Sequence, residues 1–185
     1  QMSQLAQEHG AINLSQGFPD FAPAAALQQH VVDALHENLN HYLPTNGYQP
    51  LLDQISIKIA AIYDVQLNPS TEITVTSGAS EGLMNAILAL IEAQDEVIVF
   101  EPAYDSYVPA IKLAGGVPVF IRLDPQDYSV DWAQVRSKIT NKTKMIIINT
   151  PHNPTGATLS CRDMRELESI VCQHDLICLS DEVYE

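Results

Sequence analysis

The sequence predicts an α/β fold in which helices cover both faces of a mainly parallel sheet, giving three layers, α/β/α. From residue 72 onward, short apolar segments alternate with helical segments at the spacing of right-handed β–α–β crossovers. The apolar segments are nearly continuous (EVIVF, MIII, LICL), as expected for strands buried on both faces. The 185 residues, 46% hydrophobic and 17% charged, suffice for one globular core of this kind.

The first 50 residues are rich in Pro, Gly, Asn and Gln, and the sequence predicts one helix among them, at 24–37. The remainder of this stretch is predicted to be irregular. A second helix is predicted at 50–62, because its apolar residues recur at helical spacing. These residues are Leu51, Leu52, Ile55, Ile59 and Ile62.

Five strands and four helices are predicted to alternate over residues 72–180. The strands are predicted at 72–76, 96–100, 117–121, 144–149 and 176–180. The helices are predicted at 80–92, 106–114, 130–139 and 160–174. The first strand is rich in β-branched residues, the first helix opens with small residues, and glycines at 115 and 116 close the second helix.

Charge and composition limit the classes of partner. Nine basic and 23 acidic side chains give a net charge of −14, which disfavours binding to nucleic acid or to an anionic membrane. No secretory signal is visible. Cys161, Cys172 and Cys178 show no CxxC spacing and are predicted to be reduced, mostly buried thiols of a cytoplasmic protein. The six histidines show no paired ligand spacing, so a metal site is disfavoured.

Polar residues follow the predicted strands, and ligands of parallel α/β sheets bind at this carboxyl edge. Gly78, Ala79 and Ser80 open a helix, where free N–H groups and the helix dipole suit a phosphate group. An ordinary helix N-cap explains the same residues. No lysine follows them as in a P-loop, which disfavours a nucleoside triphosphate.

Three further strand ends carry candidate site residues. Tyr104 is placed either to stack on a flat ring or to shield a helix start. Asn153, between prolines and a glycine, either presents an amide at a fixed position or serves the turn itself. Asp181 ends an apolar strand, so its carboxylate needs a cation or a strong donor; a pyridinium nitrogen would serve, and an N-cap role is the alternative. Tyr184 is placed to donate to a phenolic oxygen of the same ring.

Six segments occur in the order and at the spacing of the class I/II aminotransferases. They are NLSQGFPDF (13–21), HYLPTNGYQPL (41–51), VTSGASEGL (75–83), FEPAYDSYVPAI (100–111), NTPHNPTGA (149–157) and SDEVYE (180–185). From about residue 11 to its last residue the chain therefore resembles these pyridoxal-phosphate (PLP) enzymes of fold type I. Within the family it is most similar to the bacterial methionine aminotransferase and kynurenine/glutamine aminotransferase subgroup.

The resemblance implies a cofactor-binding role for the strand-end residues. The turn 78–80 binds the phosphate of PLP, and Tyr104 stacks on the pyridine ring. Asp181 pairs with the ring nitrogen and keeps it protonated. Tyr184 and Asn153 contact the 3′ oxygen, and the Asn153–Pro154 peptide bond is expected to be cis.

The resemblance also implies a substrate site and a partner subunit. Gly17 and Asn153 line the position of the substrate carboxylate, and Tyr42 reaches the phosphate of the neighbouring subunit's PLP in a homodimer. Together with Tyr42 and Tyr104, Phe18 weakly favours an apolar or aromatic substrate. The implied reaction is ping-pong transamination, through an aldimine, of methionine or an aromatic or glutamine-like amino acid to its 2-oxo acid. A non-catalytic PLP-fold module and a PLP-dependent cysteine-conjugate β-lyase stay open as alternatives.

The Schiff-base lysine of the family lies beyond the SDEVYE-type motif, and no lysine follows Lys144 in this sequence. We therefore expect the chain to correspond to the N-terminal half of an aminotransferase and to be inactive alone. Residues 1–50 are predicted to be an N-terminal arm and the start of a small, dimer-contacting domain. Residues 51–185 are predicted to be the N-terminal part of the PLP-binding large domain. We also expect residues 1–185 alone to aggregate through an exposed sheet edge.

Overall fold

The computed structural model describes residues 2–14, 17 and 19–184. The chain divides into two compact units, Gln1–Pro44 and Thr45–Glu185. The first unit contains helices α1 (Met2–Glu8) and α2 (Ala25–His36). Helix α2 confirms the helix predicted at 24–37. Helix α1 was not predicted; it consists mainly of good helix formers, and Gln4 donates to the Glu8 carboxylate one turn later, at 2.9 Å.

The second unit contains five helices and four strands among the described residues. The helices are α3 (Gln49–Tyr63), α4 (Ala79–Leu90), α5 (Tyr107–Leu113), α6 (Trp132–Lys138) and α7 (Cys161–His174). The strands are β1 (Glu96–Glu101), β2 (Val117–Arg122), β3 (Thr143–Asn149) and β4 (Ile177–Asp181). All nine elements were predicted, with ends that differ by at most two residues.

The four strands form one parallel sheet in the order β2-β1-β3-β4. Its register sets the last residues of β3 and β4 side by side, because Asn149 pairs with Asp181. Side chains of successive strand residues enter opposite faces. Val97, Val99 and Ile147 pack with α4 and α5, whereas Ile98 and Ile146 pack with α6 and α7. The three-layer α/β/α prediction is therefore confirmed.

The prediction of a strand at 72–76 is wrong. A strand requires a neighbouring strand to pair with, and no described strand lies beside this segment. Its one backbone hydrogen bond to a distant residue is from the Val75 N–H to the Asn46 carbonyl oxygen, at 2.9 Å. The β-branched composition therefore predicted a strand in a segment that has no neighbouring strand to pair with.

The predicted burial of the cysteines is also wrong. Cys161, Cys172 and Cys178 are free thiols and all three are exposed. In β4, Ile177 and Leu179 pack against the core of the α4 and α5 face, so Cys178 enters the opposite face and stays exposed there. Within the described part of the chain, no helix has the length and apolar character needed to span a bilayer. The cytoplasmic location stays a prediction.

Candidate functional site

The start of α4 and the ends of β3 and β4 surround a pocket of about 220 Å³ at the carboxyl edge of the sheet. The parallel register places these strand ends together, and α4 begins at the same edge. The pocket is lined by Ala79, Ser80, Leu83, Tyr104, Asn149, Asn153, Asp181, Val183 and Tyr184. Six predicted site residues thus lie around one pocket, namely Ala79, Ser80, Tyr104, Asn153, Asp181 and Tyr184.

The remaining predicted residues lie elsewhere. Gly78 directly precedes α4 and is its N-cap residue. Gly17 and Tyr42 belong to the first unit, and the Tyr42 side chain is fully exposed. Phe18 lies outside the described residues. The substrate and partner-subunit roles of Gly17, Phe18 and Tyr42 stay predictions.

The α4 start offers free hydrogen-bond donors to the pocket. Gly78 adopts φ +85°, a left-handed conformation that glycine adopts without steric cost. The backbone N–H groups of Ala79 and Ser80 have no hydrogen-bond partner within the part of the chain that the structure describes. The Ser77 N–H, one residue before Gly78, donates to the Glu81 carboxylate. Two unsatisfied donors at the positive end of a 12-residue helix suit an anionic group.

Asp181 supplies a buried carboxylate to the same pocket. The residue is 7% exposed, and its carboxylate accepts hydrogen bonds from the Tyr107 hydroxyl at 2.5 Å and the Val183 N–H at 3.2 Å. Among the described residues the one salt bridge joins Arg136 and Glu166, so Asp181 has no cationic partner there. A buried carboxylate with neutral donors and an adjoining cavity can stabilise a positive charge in that cavity.

Tyr107 is the buried donor that supports Asp181. It is 3% exposed, and its ring meets the Tyr104 ring edge-on, with centroids 5.6 Å apart. Burial raises the pKa of Tyr107 well above its ordinary value of 10.0, and the adjacent Asp181 carboxylate raises it further. Tyr107 therefore keeps its proton and remains a donor. The Tyr104 hydroxyl lies 3.3 Å from the Ser80 hydroxyl, which places the Tyr104 ring beside the α4 start.

The segment after β3 carries Asn153 to the pocket. The Asn153–Pro154 peptide bond is cis, which confirms that expectation. The Asn153 N–H donates to the side-chain oxygen of Asn149 at 2.6 Å, and the Asn149 side-chain N–H donates to the Asp181 carbonyl oxygen at 2.9 Å. One amide therefore joins the Asn153 turn to the end of β4.

A second cavity, of about 130 Å³, lies beside this turn and shares Asn149 with the first pocket. His152 lines it, and the His152 Nδ1 atom lies 2.8 Å from the Thr155 hydroxyl. Burial lowers the pKa of His152 below its ordinary value of 6.5, although a hydrogen bond with the Pro102 carbonyl opposes the shift. His152 is therefore neutral at neutral pH.

The residues after Asp181 are more exposed. Glu182 is exposed and accepts a hydrogen bond from the Ser180 hydroxyl at 2.7 Å, which fits a solvent-facing acid. Tyr184 lines the pocket while 57% of its surface is exposed. Of the two neighbouring acids, Asp181 therefore lines the pocket, whereas Glu182 does not.

Sequence reasoning missed two hydrogen-bonding residues of this site, Asn149 and Tyr107. Asn149 ends an apolar strand, which is the same signal that identified Asp181. Tyr107 lies three residues after Tyr104 in a segment rich in aromatic residues. Both donate to Asp181, which lies 32 residues after Asn149 and 74 residues after Tyr107, so neither of these two hydrogen bonds is visible as a local motif.

Comparisons with known proteins relate the whole chain to one family. The family model described as aminotransferase class I and II matches residues 9–185. The chain is 43% identical to the methionine aminotransferase of Escherichia coli over 185 residues, covering all of this chain and 48% of the relative. It is 38% identical to kynurenine–oxoglutarate transaminase 3 of Mus musculus over 196 aligned positions, covering all of this chain and 43% of that protein.

A solved structure from Escherichia coli, reported with a methionine aminotransferase function, superposes with a TM-score of 0.96 at 43% identity. That match covers all of this chain and 49% of the other. The chain thus spans about half the length of the curated relatives it matches.

Proposed function

The chain belongs to the aminotransferase class I and II family, and on this premise we propose that the whole protein is a PLP-dependent aminotransferase. Its reaction transfers the amino group of one amino acid to a 2-oxo acid, in two half-reactions that share one site. The observation that carries the proposal is the buried Asp181 carboxylate, which faces a pocket without a cationic partner among the described residues.

The donors and acceptors around the pocket fit PLP at both ends of that molecule. The free N–H groups of Ala79 and Ser80 suit the phosphate, and the Asp181 carboxylate suits a protonated ring nitrogen. Bound PLP supplies an electron sink for the negative charge that develops at the α-carbon of the substrate. These two groups line the same pocket, so one elongated ligand can contact both.

The residues of this chain orient the ring and control protons. The buried Asp181 carboxylate would hold a proton on the ring nitrogen of bound PLP, because a buried negative charge favours the protonated form of a neighbouring base. Tyr107 donates to Asp181 and fixes the direction of its carboxylate. Tyr104, which lines the pocket beside the α4 start, would stack on the pyridine ring of bound PLP. Asn153 and Tyr184 line the same pocket and would donate to the 3′ oxygen of bound PLP.

We propose methionine, or an aromatic or glutamine-like amino acid, as the amino donor, and a homodimer as the assembly. The donor is suggested by the methionine and kynurenine aminotransferases to which the chain is similar. The dimer is suggested by the resemblance at Tyr42, whose predicted partner is the neighbouring subunit's cofactor. The ping-pong order follows from the use of one site for both half-reactions.

The test is a transamination assay with the whole protein, PLP and a 2-oxo acid acceptor. Methionine, kynurenine and glutamine are compared as donors, and each 2-oxo product is measured. Product formation that requires both PLP and the acceptor supports the proposal. A protein that binds no PLP contradicts it, and pyruvate release from a cysteine conjugate without an acceptor replaces it with β-elimination.

A further inference from the structure

Asn149 is the other buried polar residue of the described chain, besides Asp181. It is 8% exposed and ends the central strand β3. An asparagine side chain carries two N–H donors and an accepting oxygen, and burial without partners is unfavourable. The hydrogen bonds that this amide makes therefore indicate the structural role of Asn149.

Both ends of the Asn149 amide bind backbone groups beside the candidate site. Its N–H donates to the Asp181 carbonyl oxygen at 2.9 Å, and its oxygen accepts from the Asn153 N–H at 2.6 Å. The Thr150 N–H also donates to the Asp181 carbonyl oxygen, at 3.2 Å, so the end of β4 is held from two directions. One side chain thus contacts the backbone of both Asp181 and Asn153, which line the candidate pocket.

The segment after β3 has few other donors with which to hold Asn153. Pro151 and Pro154 have no backbone N–H. The His152 N–H donates forward to Ala157, at 2.8 Å, rather than back to the sheet. The Asn153 N–H is therefore the group that anchors this turn to the strand, and Asn149 is its acceptor.

We propose that Asn149 is a positioning residue that sets the spacing between the Asp181 carboxylate and the Asn153 amide across the cofactor pocket. The expected effect of Asn149 on the affinity for PLP rests on the proposed function. Its structural part, the amide bridge, is independent of PLP. Asn149 also lines the second cavity, so its side chain forms part of the wall between the two.

The test compares two variants, Asn149→Ala and Asn149→Asp, with the control variant Ile148→Val, all in the whole protein. Ile148 is the preceding residue of β3 and packs with the α6 and α7 face, so Ile148→Val perturbs the strand without removing a hydrogen bond. Hydrogen exchange of segment 150–157 is measured by mass spectrometry without PLP. We expect faster exchange in Asn149→Ala, and wild-type exchange in Asn149→Asp, which keeps an accepting oxygen, and in the control.

The dissociation constant of PLP is the second measurement. Loss of a buried hydrogen-bond bridge should raise it roughly 10- to 100-fold in Asn149→Ala. Asn149→Asp should also bind PLP more weakly, because it presents an oxygen instead of a donor to the Asp181 carbonyl. In an Asn153→Ala background the Asn149→Ala effect should be smaller, because part of it acts through Asn153.

Unchanged exchange and an unchanged PLP dissociation constant in folded Asn149→Ala would overturn the inference. Equal effects of Asn149→Ala in the wild-type and Asn153→Ala backgrounds would also overturn it. If Asn149→Ala does not fold, Asn149→Asp with wild-type PLP affinity has the same consequence. A wild-type protein that binds no PLP contradicts the proposed function instead. The hydrogen-exchange measurement then still tests whether the Asn149 amide bridge holds segment 150–157.

Discussion

The two compact units hold their predicted site residues in opposite physical settings. In Thr45–Glu185, Asp181 is buried and its carboxylate accepts two hydrogen bonds. In Gln1–Pro44, none of the described residues is buried, and Tyr42 is fully exposed. Hydrogen bonds between strands fix the residues at strand ends, so the second unit forms a pocket from its own elements. The roles of Tyr42 and Gly17 rest on resemblance alone.

The largest effect is expected from Asp181→Asn, which keeps the side-chain volume and removes the charge. An amide cannot hold a proton on a pyridine nitrogen as a carboxylate does. We expect kcat/KM to fall roughly 100-fold or more, as when a preorganised electrostatic partner is removed. Steady-state kinetics of the whole protein measure this. Glu182→Gln, the exposed neighbouring acid, is the matched control, and an equal loss in that variant would contradict the assignment.

Tyr42 allows a direct test of the contrast between the units. Tyr42→Phe should weaken PLP binding roughly tenfold, because it would remove the hydrogen bond predicted from Tyr42 to the cofactor phosphate. When Tyr42→Phe and Asp181→Asn protomers are mixed, a partner-subunit role leaves one of the two sites of each mixed dimer without a substitution. The mixed dimer should then recover about half of the wild-type activity. Recovery no greater than half that of the Tyr42→Phe homodimer would place Tyr42 at its own subunit's site.

A smaller effect is expected from Tyr107→Phe. Loss of the donor to Asp181 should reduce kcat/KM roughly fivefold, the equivalent of one net hydrogen bond. The raised pKa of Tyr107 adds a stability signature. The folded state keeps this proton at a pH where the unfolded chain loses it, so stability should fall as pH rises above about 10. Urea unfolding at pH 9 and 10.5 should show that Tyr107→Phe loses less stability between these pH values than the wild type does. An equal loss of stability in both proteins would contradict the raised pKa of Tyr107.

The smallest effect is expected from His152. Because its pKa is lowered by burial, the unfolded chain binds a proton more readily than the folded protein does. Stability should therefore be fully present above about pH 6.5 and decline as pH falls through the lower pKa of the folded state. His152→Gln should show a flatter decline in urea unfolding between pH 7.5 and 5. A decline as steep as that of the wild type would contradict the lowered pKa.

The α/β order could be predicted because each element carries its own local signal. The run MIII identifies β3, and the helical spacing of apolar residues identifies α3. The segment 72–76 shows the limit of such signals, because composition predicts an extended chain but cannot supply a neighbouring strand. Cys178 shows the same limit, since its burial depends on what covers one face of β4.

Only the site residues that carry a local signal could be predicted from the sequence. Asp181 was identified because a carboxylate after an apolar run requires an explanation. Tyr107 and Asn149 were missed because Asp181, to which both donate, is far away in the chain. The motif resemblance supplied the roles, whereas the parallel register and the shared pocket supply the proximity.

The central claim is that Asp181 holds the ring nitrogen of PLP while the α4 start binds its phosphate. A crystal structure of the whole protein with PLP tests it most directly. We expect the ring nitrogen to lie within hydrogen-bonding distance of the Asp181 carboxylate, and the phosphate to lie at the N–H groups of Ala79 and Ser80. PLP bound away from Asp181, or with its phosphate remote from the α4 start, would contradict it.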